Sequence, residues 1–149
     1  MKSIFIGLML LSFNVFADGV EMVENESVFT YNSHLAFYAC SYAERQAEKY
    51  IEQMGGEVVK IRCTGGLPDS RYVSLRLKFV SYKSTNSADA INSEWINVKL
   101  RGNESCEFNK KLIEHLLPQF ETRNLLAKEF CDVARGRYLY SFDSLSAAN

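Results

Sequence analysis

"VKIRCTGGLPDSRYVSLRLKF", residues 59–79, holds two alternating apolar and polar runs separated by a break. The first run closes on Cys63. Gly65, Gly66, Pro68 and Asp69 interrupt it, and the second run sets Val73, Leu75, Leu77 and Phe79 against Ser74, Arg76 and Lys78. A period of two marks a half-buried strand, and Gly-Gly followed by Pro-Asp is turn chemistry. The stretch therefore predicts a strand over 58–64, with Val59, Ile61 and Cys63 sharing a face, and a second strand over 72–82. The polar outer face of the second strand argues for an antiparallel sheet with one wet side.

Upstream, residues 28–31 read as a short strand, and residues 34–54 are rich in Ala, Glu, Gln and Lys. Ala36, Cys40, Ala43, Ala47, Ile51 and Met54 recur at helical spacing and predict one buried stripe. Asn32 or Ser33 is a candidate N-cap, and Gly55-Gly56 a stop. Downstream, residues 83–94 form a polar stretch that reads as a mobile connector and contact loop. A strand over 95–100 follows, then a helix from Cys106 capped by Ser105 or Asn103, with Cys106, Ile113, Leu116, Leu117 and Phe120 on one face. Pro118 should end this helix near Leu117, because proline lacks the amide that a helix interior needs. Residues 122–131 suit a helix by composition but equally a strand ending in Cys131; residues 137–143 alternate again.

Strand, helix with a cysteine near its start, strand ending in a cysteine, turn, alternating strand: this order occurs twice. Ile51 lies eleven positions after Cys40, and Leu117 eleven after Cys106. The pattern predicts an α+β fold of two degenerate βαββ units, each an antiparallel sheet with one helix packed on it and stapled by a disulfide. It assigns 122–131 to a strand and pairs Cys40 with Cys63 and Cys106 with Cys131. A helix runs antiparallel to the strand that follows it through a tight turn, so the strand's end returns to the helix's beginning. The expected organisation is 1–17 a leader, 18–82 the first unit, 83–94 the connector and 95–149 the second unit, within one compact domain.

The leader rests on Lys2, the apolar run over 4–16, and small residues at Val15 and Ala17. That run is shorter than the roughly 17–25 residues of a spanning helix. Cleavage after Ala17 would export the chain to a periplasmic or secreted location. An even count of 4 cysteines in an exported chain points to disulfides. Metal ligation is not indicated: C-x-x-C pairs are absent, and His34 and His115 stand at no zinc-like spacing from the cysteines. With 17 basic and 18 acidic side chains, the formal charge of −1 gives no global attraction to nucleic acid.

No motif names a reaction. Gly65-Gly66-Leu67-Pro68 lacks the lysine of a phosphate loop, and G-x-S-x-G is missing. Glu44, Glu48 and Glu52 read as a solvated helix face. Tyr38, Tyr42, Tyr72, Tyr138 and Tyr140 read as packing residues before a ligand-stacking surface, and Arg71, Arg135 and Arg137 as turn solvation before an anion site. Asn25 and Asn103 fit the N-glycosylation pattern. The expectation is therefore an exported, disulfide-stabilised binding or structural module without catalytic residues, cofactor or metal. Its partner would be a protein or envelope ligand, with inhibition of a hydrolase as one form. The alternative is a small secreted hydrolase pairing His34 or His115 with Glu114, Asp69 or Asp89.

Overall fold

The structure, a computed structural model, describes residues 19–33, 37–132 and 136–149. Residues 1–17, expected as a leader, and His34, Ala36 and Arg135 lie outside them. The elements are β1 (Gly19–Asn32), α1 (Cys40–Gln53), β2 (Glu57–Gly65), β3 (Tyr72–Thr85), β4 (Ile91–Gly102), α2 (Cys106–Leu116), β5 (Thr122–Cys131) and β6 (Gly136–Ala147). One 3-10 turn, Leu117–Gln119, follows α2 at Pro118. The strands form one antiparallel sheet in the order β2-β3-β1-β4-β6-β5. Pairing of β1 with β4 is confined to Gly19↔Asn92 and Val20↔Ile91, so two three-stranded parts meet at a narrow seam. The fold is α+β. Among the described residues, no helix is long and apolar enough to cross a membrane.

Alternation along β3 divides its side chains as the period predicts. Val73, Leu75, Leu77 and Phe79 are fully buried, whereas Arg76 is exposed. Ala43, Ala47, Tyr50 and Ile51 line the buried face of α1, and Phe108, Leu112, Ile113 and Leu116 that of α2. The alanines of α1 let its backbone come close to the sheet. All of these residues belong to one core that spans both three-stranded parts. A smaller cluster of Val20, Tyr82 and Leu145, flanked by Trp95, sits apart from it.

Polar bonds tie the parts across this core. Tyr50 and Tyr138 share a buried hydroxyl–hydroxyl bond of 2.7 Å. Burial is the first cause that raises both phenols above their ordinary pKa, so they stay neutral. Asn109 of α2 donates to the Tyr42 hydroxyl of α1 at 3.0 Å. Ser144 and Ser146 of β6 donate to the carbonyls of Met54 and Gly55, satisfying acceptors that the end of α1 leaves open.

Disulfides join Cys40 to Cys63 and Cys106 to Cys131. Each therefore links the first residue of a helix to the end region of the following strand. A glycine stands beside each bridge: a Cβ on Gly66 would meet the Tyr38 carbonyl at 2.7 Å, and one on Gly136 would meet Cys106 Cβ at 2.5 Å.

Several sequence expectations are corrected. β1 runs over 14 residues instead of the short 28–31 strand. It pairs through Asn32↔Tyr72, which keeps the chain extended, and α1 starts at Cys40 after Ala39 instead of being capped by Asn32 or Ser33. Residues 83–94 are not a loop throughout. Gly19 and Val20 at the head of β1 pair with Thr85 and Ser84 on one side and with Asn92 and Ile91 on the other, drawing both ends of that stretch into strands. Only residues 86–90 remain between them, closed by Ala90 N–H donating to the Ser87 carbonyl. A bulge between Val58 and Lys60 turns Val59 outward, so Val58, not Val59, packs on the core with Ile61 and Cys63.

The tyrosine pair generates a prediction. Tyr138→Phe strands the Tyr50 hydroxyl in the core and should cost about 1–3 kcal/mol. Urea unfolding of Tyr138→Phe, Tyr50→Phe and the double variant should give a double-variant loss smaller than the sum of the single losses.

Candidate site: the cationic face of the β1–β2–β3 sheet

The alternation that buries Leu75, Leu77 and Phe79 sends Arg76 and Lys78 to the helix-free face. The ladder between β2 and β3 then sets Arg62 opposite Arg76 and Lys60 opposite Lys78. Directly opposed residues on one sheet face have Cβ atoms about 4.5–5.5 Å apart, and like charges there are destabilising. The two pairs are adjacent along the strands, so four cations occupy one small area. With Glu26 of β1, opposite Lys78 on its other side, they line a shallow concavity of about 300 Å³.

The charges are unevenly compensated. Lys78 Nζ lies 2.7 Å from Glu24 Oε1 and 3.8 Å from Glu26 Oε1. Its hydrogen bond to Glu24 is the main cause that raises its pKa, so Lys78 is held charged. Among the described residues, Lys60, Arg62 and Arg76 make no ion pair or side-chain hydrogen bond. The outer face of the other three-stranded part is different. There Lys99 opposes Ser141, Arg101 opposes Leu139 and Arg137 opposes Phe130, while Arg123 pairs with Asp143 at 3.3 Å.

The residues singled out from sequence are placed elsewhere. His115 Nε2 lies 3.1 Å from Ser27 Oγ and its ring packs against Phe29. Burial lowers its pKa, which keeps it neutral. Glu114 pairs with Lys111, and among the described residues no hydrogen bond or ion pair joins His115 to Glu114, Asp69 or Asp89. Tyr38 and Tyr42 pack with Phe108, Tyr138 and Tyr140 are core, and Tyr72 is exposed. Tyr140 donates to Glu129 at 2.6 Å, and Lys110 pairs with the same carboxylate at 2.8 Å. Glu44 is not purely solvated: it accepts the Cys63 amide at 3.0 Å. Asn25 is engaged with Ser81, Arg71 lies over Phe37, and Asn103 and Arg137 are exposed. No group of three or more His, Cys, Asp or Glu side chains gathers as a metal site among the described residues.

Sequence reading missed Lys60 and Arg62. Each alternates with apolar neighbours like any outward strand residue, and only the β2–β3 register shows what they oppose. Compared with protein families, curated proteins and solved structures, the chain finds no match.

Two predictions follow from these positions. Arg62→Thr relieves a cross-strand repulsion and should stabilise the fold by about 0.2–1 kcal/mol. The rise in urea midpoint should be largest at low ionic strength and shrink in salt; a lowered midpoint would contradict the repulsion. For His115, the lowered folded pKa means that the unfolded chain takes up the proton first. Stability is thus full above about pH 6.5, the ordinary histidine value, and declines as pH falls toward the folded value. Unfolding measured between pH 7.5 and pH 5.5 should lose this component in His115→Gln.

Proposed function

We propose that the chain is an exported binding module, freed of residues 1–17 and built from two degenerate βαββ units, that engages an anionic partner through Lys60, Arg62, Arg76 and Lys78. The observation that carries this reading is the pair of like-charge oppositions on the helix-free face, of which only Lys78 is neutralised. A face whose only task was solvation would gain by placing carboxylates or neutral residues opposite its cations, as the outer face of the other part does. The corresponding strand orders β2-β3-β1 and β5-β6-β4, with a disulfide at the matching place in each, support the two-unit reading. Two bridges in a chain with a short charged and apolar leader support export. Each bridge spans 23 or 25 residues and is worth on the order of 3 kcal/mol by loop closure, so stability explains the cysteines without redox chemistry. Inhibition of a hydrolase remains one form that such binding takes.

Export is tested by the intact mass of envelope or secreted material, which should begin at Asp18; material beginning at Met1 would refute it. Binding is tested by the melting temperature of the mature protein in fractionated envelope extract. At least one fraction should raise it for the native chain and not for Arg62→Ser/Arg76→Ser. Equal shifts for both proteins would move the binding surface elsewhere.

A further inference from the structure

We infer that the cationic face binds a phosphate monoester on a small polyhydroxylated molecule, a sugar phosphate in chemical class; this rests on the binding-module reading above. Four cations, Lys60, Arg62, Arg76 and Lys78, stand beside two carboxylates, Glu24 and Glu26, which leaves a local excess of two positive charges. A phosphate monoester carries about −1.5 to −2 at pH 7 and matches that excess. A single carboxylate neutralises only half of it.

Geometry points the same way. Arg62 and Arg76 rise from directly opposed positions on neighbouring strands. Two guanidiniums so placed flank one tetrahedral anion, each offering a planar fork of N–H donors to its oxygens. Lys60 lies two residues before Arg62 on the same strand face and adds a point charge. Lys78 is already held by Glu24, so its ammonium is positioned rather than free to collapse onto the ligand. Glu26 completes the lining as an acceptor, and an acceptor-only carboxylate beside a phosphate clamp suits hydroxyl donors on the rest of the molecule. A volume of about 300 Å³ is of the size that a ligand of this class fills.

The carboxylates also decide against wide anionic partners. Glu24 and Glu26 are exposed on β1, immediately beside the cations. An anionic bilayer or a nucleic acid laid on the face would meet them together with Lys78. A compact dianion seated over Arg62 and Arg76 avoids Glu24 and turns its hydroxyls to Glu26.

The test is titration of the mature protein with five probes at low ionic strength: glucose 6-phosphate, glucose, inorganic phosphate, phosphatidylglycerol vesicles and a single-stranded oligonucleotide. Glucose 6-phosphate should bind saturably, raise the melting temperature and weaken as salt is added; glucose should do neither. Arg62→Ser and Arg76→Ser should each lower the affinity between about tenfold and a hundredfold, as loss of a charge-assisted contact predicts. Lys99→Ser, on the outer face of the other part, should leave it unchanged. Glu26→Gln should tighten inorganic phosphate while reducing the preference for the sugar phosphate over it. Absence of saturable binding, equal binding by the arginine variants, or binding of vesicles or oligonucleotide without glucose 6-phosphate would each overturn the inference. Failure of the phosphate ester with retention of the arginine-dependent shift in extract would remove the ligand class alone. Failure of both would remove the site.

Discussion

A covalent bond from the first residue of each helix to the end region of the next strand fastens each helix to the side of this sheet that alternation makes apolar. Cys40–Cys63 holds the start of α1 to β2, and Cys106–Cys131 holds the start of α2 to β5. With its other end closed by Gly55-Gly56 and by serines from β6, α1 lies along the sheet and presents Ala43, Ala47, Tyr50 and Ile51 to it. Every second residue of β3 is then committed to the core. The same pleat sends Ser74, Arg76 and Lys78 to the helix-free face, where Tyr82 further along packs with Val20 and Leu145. The cationic face is thus the complement of the core, fixed by the helix on the far side.

Much of this was legible from local chemistry. Alternation marked β3, Pro118 marked the end of α2, and the matched cysteine positions separated strand from helix over Thr122–Cys131. What escaped depends on partners distant in sequence. β1 is mostly polar outside Val28–Tyr31, and its strand character over Gly19–Asn25 comes from the Thr85–Phe79 segment of β3 that it pairs with. The polar residues near Lys83 and Asn92 look like loop because an antiparallel strand's wet side and a loop have the same composition. Val59 was misassigned because a bulge shifts the period by one, and no residue type announces it. The site lay beyond reach for the same reason. Arg62 and Arg76 are ordinary outward residues until the register sets them face to face.

Energetics show why such a face is tolerable. Each like-charge opposition costs up to about 1 kcal/mol at an exposed sheet position. Full burial of one large apolar side chain is worth about 1.5–3 kcal/mol. Leu75, Leu77 and Phe79, buried on the opposite side of the same strand, offset the repulsion several times over. The cations therefore do not relax by fraying the strand; their backbone positions are fixed by the ladder, and only the side chains adjust. That is the difference between this face and a basic loop. A loop disperses repelling charges by moving, which removes the field that would attract an anion. Strands paired along their length hold Arg62 beside Arg76 whether or not an anion is present, so a ligand that fits them meets a site already assembled. The outer face of the second part shows the contrast on the same scaffold. Arg123 stacks on Trp95 and pairs with Asp143, which also accepts from Asn97 and Asn124, while Lys99, Arg101 and Arg137 stand opposite Ser141, Leu139 and Phe130, so that none of them faces a second cation.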